Sequence, residues 1–223
     1  MKKKNIYFSI ALFVYCFLFV QNIFAEGILD GIFIEVAASN GYSASKHSLQ
    51  EFKNRFDEIE NDINFHSIAE KAPFYYGNYA MSENSLQEFE RRFEEIKADE
   101  YFSKDPEQYG HYAGSQNTLE EYKSRFAEII NDMDFSGIAG DDTPVYYGYY
   151  AGSQNTLQEY RSRFTEIMND MDFSSIDYED IAIYYGRYAG SQNTLQEYRR
   201  RFTEIMNDID FSINAEEDVH IYY

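Results

Sequence analysis

Apolar positions along this chain follow two alternating rhythms. Between Thr156 and Met171 they fall at Leu157, Tyr160, Phe164, Ile167, Met168 and Met171. Spacing of i, i+3, i+4, i+7 places them in one stripe along an α-helix, predicted to run from about 157 to 170. Thr156 and Glu159 form a Thr-x-x-Glu capping box at its start. Glu159 and Arg163 stand at i, i+4 and are expected to pair on its solvated face. The preceding run, "PVYYGYYAG", has no such stripe. It is short, rich in aromatic and β-branched residues, and bounded by Gly and polar clusters, which predicts a strand.

This pair of patterns occurs five times. Helix-opening leucines stand at 49, 86, 119, 157 and 195, spaced 37, 33, 38 and 38 residues apart. The helical segments read "SLQEFKNRF", "SLQEFERRF", "TLEEYKSRF", "TLQEYRSRF" and "TLQEYRRRF". The runs before them are "IFIEVAAS", "PFYYGNYAM", "EQYGHYAG", "PVYYGYYAG" and "IAIYYGRYAG". A repeat at this period signals an array of supersecondary units. "DFSSI" after the helix is expected to add a second short strand.

The predicted fold class is therefore α+β: tandem strand–turn–helix repeats with the helices packed on one face of a sheet. The alternative is an all-α helical-hairpin solenoid. "DPEQ" at 105–108 and "TPV" at 143–145 resemble helix starts. The domains are predicted as a leader at 1–25, repeat units one and two at 28–103, units three and four at 104–178, and unit five at 179–223.

The leader has three lysines, an apolar run from Ile6 to Val20, and a small residue at Ala25, as a secretory signal peptide does. If it were not cleaved it would anchor the chain in the inner membrane. The expected location is periplasmic or secreted. The single cysteine, Cys16, lies in this segment, so the remainder offers no disulfide or thiol chemistry. Removing residues 1–25 takes away three of 19 basic residues and none of 39 acidic ones, leaving a net charge of −23. Such a chain repels nucleic acid and anionic membrane surfaces.

"IFIEVAAS", "EQYGHY", "VYYGYY" and "IYYGRY", each followed by a polar turn and an amphipathic helix, resemble the SPOR (sporulation-related repeat) domain. That family has strands ending in a "V-Q-V-G-x-F" type motif. Gln108 and Gly110 stand at its Gln and Gly places, with Glu35 where Gln is usual. Gly148, Tyr150, Gly186 and Tyr188 fit the same motif. Asn155 and Asn193 precede the helix as an Asn-Ala pair does there. The resemblance implies binding of peptidoglycan glycan strands on a sheet face turned away from the helices, in cell division or wall remodelling. Glu35, Tyr75, Gln108, Tyr146 and Tyr184 would share that face. Asn78, Tyr149 and Arg187 would rim the groove.

No catalytic constellation stands out, and no cofactor is implied. His47, His66, His111 and His220 are scattered over different repeat positions. "NDMDFSG" at 131–137 looks like the start of a calcium loop but has Thr143 where the closing Glu belongs, so no metal is expected. The predicted function is an exported, non-enzymatic envelope protein that binds cell-wall glycan through an aromatic sheet face. The alternative is a structural or adhesion repeat protein that binds protein partners or other copies of itself.

Overall fold

The structure, a computed structural model, describes residues 41–69, 71–139, 143–170 and 178–208. The leader, the "IFIEV" run with Glu35, Cys16 and His220 lie outside them. Among the described residues no helix is long and apolar enough to cross a membrane.

The predicted outer helices form as expected. They are α1 (Leu49–Glu60), α4 (Leu86–Ala98), α6 (Leu119–Ile130), α9 (Leu157–Met168) and α11 (Leu195–Met206). Each opens on a Ser or Thr N-cap whose hydroxyl accepts the N–H of the third helical residue. The reciprocal capping box is complete at Thr118/Glu121 and Thr156/Glu159.

The predicted strands do not form. The runs before the outer helices are themselves helical: α3 (Pro73–Met81), α5 (Glu107–Gly114), α8 (Thr143–Gly152) and α10 (Tyr178–Gly190), with residues 41–44 of the first unit also helical. "DFSSI" itself, at 172–176, lies outside the described residues; the equivalent segments of two other units are short helices, α2 (Ile63–Ile68) and α7 (Met133–Ala139). There is no strand among the described residues. The α+β prediction is thus overturned and the all-α alternative holds. Most described residues of the inner runs are buried between neighbouring helices, so their aromatic residues are spread around the helix rather than confined to one stripe.

Each outer helix packs against the inner helix of the next unit, and consecutive inner helices pack against one another. The rings between these layers form a continuous aromatic core. Phe164 of α9 meets Phe135, Tyr146 and Tyr185 at centroid distances of 5.2, 4.7 and 5.7 Å, all near-perpendicular. Edge-to-face pairs add about 0.5–1.5 kcal/mol each beyond the area they bury.

The junction between units is the same each time. Arg55, Arg92, Arg125, Arg163 and Arg201, all from outer helices, stack 4.1–4.2 Å over Tyr79, Tyr112, Tyr150, Tyr188 and Tyr42 of the next inner helix. Arg163 also donates to the Tyr188 carbonyl (2.9 Å), Ser191 Oγ (3.1 Å) and the Asn193 carbonyl (2.6 Å). It therefore satisfies orphan carbonyls at a helix C-terminus. The expected Glu159–Arg163 surface pair is replaced: Glu159 caps Thr156, and Arg163 crosses the junction. Each tyrosine hydroxyl donates back to a carboxylate: Tyr79 to Glu58, Tyr112 to Glu95, Tyr150 to Glu128, Tyr188 to Glu166, Tyr42 to Glu204. Burial and then this hydrogen bond raise the phenol pKa, to about 12 for Tyr42.

Tyr42 belongs to unit one and Glu204 to unit five, so the array closes. Asn193 Nδ2 donates to the carbonyls of Ser43 and Ser45 at 2.8 and 3.0 Å. Asn84, Asn117 and Asn155 make the same pair of bonds to the units that follow them. At the corresponding place in unit one, His47 Nε2 meets the Ser82 carbonyl at 2.7 Å. Gln116, Gln154 and Gln192 tie successive asparagines together along the rim. Lys53 and Asp208 add an ion pair across the closing junction at 2.5 Å. The described residues form a closed ring of five units, four of them helical hairpins and the first described from residue 41 onward.

Candidate functional site

Close approach of the inner helices creates the site. Gly110 and Gly114, Gly148 and Gly152, and Gly186 and Gly190 form Gly-x-x-x-Gly faces on α5, α8 and α10. A Cβ at Gly114, Gly152 or Gly190 would stand 2.9–3.0 Å from the carbonyl oxygens of Asn78, His111 and Tyr149 on the preceding helix. Only glycine permits that spacing.

With the helices so close, the residue just before the junction tyrosine of each unit reaches the ring axis. These residues are Gly41, Asn78, His111, Tyr149 and Arg187. The His111 and Tyr149 rings lie 4.3 Å apart, edge to face. Arg187 Cζ is 5.8 Å from the Tyr149 ring centroid. Its Nη2 donates to Asn78 Oδ1 at 3.3 Å, and its Nη1 lies 3.5 Å from Met81 Sδ. A Cβ on Gly41 would come within 3.0 Å of Nη1, so unit one makes room for the guanidinium.

An axial cavity of about 110 Å³ lies beside these groups and is open to solvent. Ala44, Met81, Gly114, Gly152 and Gly190, one turn further along the inner helices, line it together with His111, Tyr149 and Arg187. Arg187 is the only charged residue in the lining and is 5% exposed. Its Nε has no hydrogen-bond partner. Burial, and then the charge of Arg187, pull the His111 pKa down to about 3, so His111 is neutral here at ordinary pH.

Of the eight residues predicted from the sequence, Tyr149 and Arg187 line this pocket and Asn78 is hydrogen-bonded to Arg187. Tyr75, Tyr146 and Tyr184 are packed instead between inner and outer helices, against Phe93 (4.8 Å), Phe164 (4.7 Å) and Phe202 (5.3 Å). Gln108 is buried and accepts the Tyr122 hydroxyl at 3.1 Å. Glu35 lies outside the described residues. An outward aromatic face is absent among the described residues because the rings fill a helical core.

His111 lines the pocket and is not among the residues the sequence points to. Its signal was its place before "YAG", where the other units carry Asn, Tyr and Arg. The segment resembling a calcium loop is a helix junction: Asp132 Oδ1 accepts the Phe135 N–H at 2.6 Å and starts α7. Among the described residues no three His, Cys, Asp or Glu side chains gather closely enough to hold a metal ion.

No family model matches this chain, and no curated protein or solved structure matches it either.

Proposed function

We propose that this is an exported, non-enzymatic binding protein in which the closed ring is a rigid frame and the axial pocket holds a small ligand. One observation carries the reading. Residues 146–164 and 184–202 differ at two of 19 positions, Tyr149/Arg187 and Ser162/Arg200, and the first of these is on the axis. Groups that build the junctions recur, while the axis carries Gly, Asn, His, Tyr and Arg. A ring needs equivalent junctions. It does not need a different side chain from each unit at this axial space, whereas recognition of a ligand does.

The chemistry of the lining supports binding. A histidine with a pKa near 3 is a poor general base at neutral pH. The hydroxyls of Ser115, Ser153 and Ser191 donate to the carbonyls of Tyr112, Tyr150 and Tyr188. None of them is poised as a nucleophile. A glycan strand has little to hold: Gln108, Tyr146 and Tyr184 are only 3–5% exposed.

A second reading, a scaffold for protein partners, rests on exposed apolar residues at the starts of α2 and α7 and the end of α11. Ile63, Met133 and Met206 are 84%, 87% and 52% exposed.

Ala44→Met tests the first reading. Unit two already carries Met81 at this position, so the longer side chain suits the fold and narrows the pocket. Native mass spectrometry of protein isolated without unfolding should show a bound small molecule that the variant loses. Equal occupancy, or bare protein in both cases with no small solute that stabilises the wild type more than the variant against heat, would overturn the pocket and favour the scaffold.

A further inference from the structure

We propose that the axial pocket binds a small monovalent oxyanion whose two oxygens face the Arg187 guanidinium. The inference rests on the pocket being a binding site, and adds the chemistry of what it binds.

Arg187 differs from the five junction arginines. Each of those is stacked on tyrosine and donates to carbonyl acceptors; Arg125, for example, reaches three acceptors at 2.6–3.1 Å. Arg187 has one oxygen acceptor at 3.3 Å and a thioether at 3.5 Å. No ion pair joins it to a carboxylate among the described residues. Its position in the last turn of α10 gives it the negative end of a helix dipole, a weak and local effect compared with desolvating a full charge. A buried guanidinium needs acceptors for its N–H groups: the equally buried Arg92 finds three oxygens within the protein, and an oxyanion can supply two at once in bidentate geometry. Here no matching carboxylate stands beside it among the described residues, and a solvent-connected space does.

Size and charge then narrow the class. A cavity of about 110 Å³ has room for a few waters. That space admits a small ion. Arg187 supplies one positive charge, and no other charged group lines the cavity. A monoanion neutralises it, whereas a dianion would leave an unpaired charge in a confined site. Planar ions with two oxygens on one edge, such as a short carboxylate or nitrate, match the fork of the guanidinium.

The test uses the full exported chain, 15N-labelled, with sodium acetate, sodium nitrate and sodium sulfate titrated separately at constant ionic strength set by sodium chloride. Acetate or nitrate should shift the Arg187 Nε–H resonance saturably, with a Kd of roughly 1 mM or tighter. Whichever of the two saturates identifies a carboxylate or an inorganic source. Sulfate should bind at least about tenfold more weakly, which is the discrimination expected from one uncompensated charge in a confined site. Thermal unfolding should rise with the same ion in the wild type, and Arg187→Gln and Ala44→Met should lose that rise while remaining folded. No saturable shift with either monoanion, a preference for sulfate, or an undiminished response in Arg187→Gln would each overturn the proposal. If Ala44→Met loses a co-purified molecule that proves uncharged, the pocket stands and the anion class falls.

Discussion

At the scale of residues, similar letters in the five units perform dissimilar tasks. The "RF" arginine looks like a solvated helix residue because it stands four after a glutamate. Its real partners are carbonyls about 25 to 30 residues onward, which local spacing cannot reveal. The capping box, by contrast, was legible, because every group it uses lies within four residues. His111 shows how environment changes a residue's chemistry, and it leads to a prediction. Its folded pKa, about 3, lies below the ordinary value of 6.5. The unfolded chain therefore takes up the proton first, and stability is lost as pH falls from 6.5 toward 3. The slope is at most about 1.4 kcal/mol per pH unit for this one proton. His111→Asn, which installs the residue unit two carries at Asn78, should remove that part of the dependence. Urea unfolding at pH 7 and pH 5 should show the variant losing less stability than the wild type over this interval.

At the scale of elements, the inner runs were read as strands because aromatic and β-branched residues favour pleated surfaces. Tertiary burial overrode that preference. One sequence signal did point to helix: glycines at 110 and 114, 148 and 152, 186 and 190 are four apart, a helical period rather than a strand period. The same glycines give a prediction whose sign depends on surroundings. A Cβ at Gly186 would lie 2.3 Å from Tyr149 Cδ2, while one at Gly137, in exposed α7, meets nothing within 4 Å. Alanine is favoured over glycine in a helix interior by about 1 kcal/mol. Gly137→Ala should therefore raise stability by up to that amount. Gly186→Ala should lower it by about 1–3 kcal/mol, the usual cost of overpacking. Equilibrium urea denaturation of the two variants checks both signs.

At the scale of the molecule, ring closure makes the first and last units ordinary members of the array. In an open array, terminal units contact one neighbour and fray. Here Arg201 donates to the carbonyls of Tyr42 and His47, as Arg125 does to those of Tyr150 and Asn155. Arg201→Ala and Arg125→Ala should thus cost similar amounts, about 1–3 kcal/mol each for the acceptors left unpaired. Hydrogen exchange should protect α1 and α11 as well as α6. A neutral Arg201→Ala beside a costly Arg125→Ala would mean that the ring is open in solution.

The sequence by itself determined the number of units, the outer helices with their caps, and the identity of the residues that vary from unit to unit. Those features are written in local spacing and in self-comparison, and both are visible in one dimension. Tertiary structure alone decided that the aromatic runs are helices, that the repeated arginines and tyrosines form junctions, and that the fifth unit meets the first. Each depends on what lies beside a residue rather than on what precedes it. The axial pocket is the extreme case: Gly41, Asn78, His111, Tyr149 and Arg187 span nearly 150 positions of sequence and become neighbours only when the ring closes.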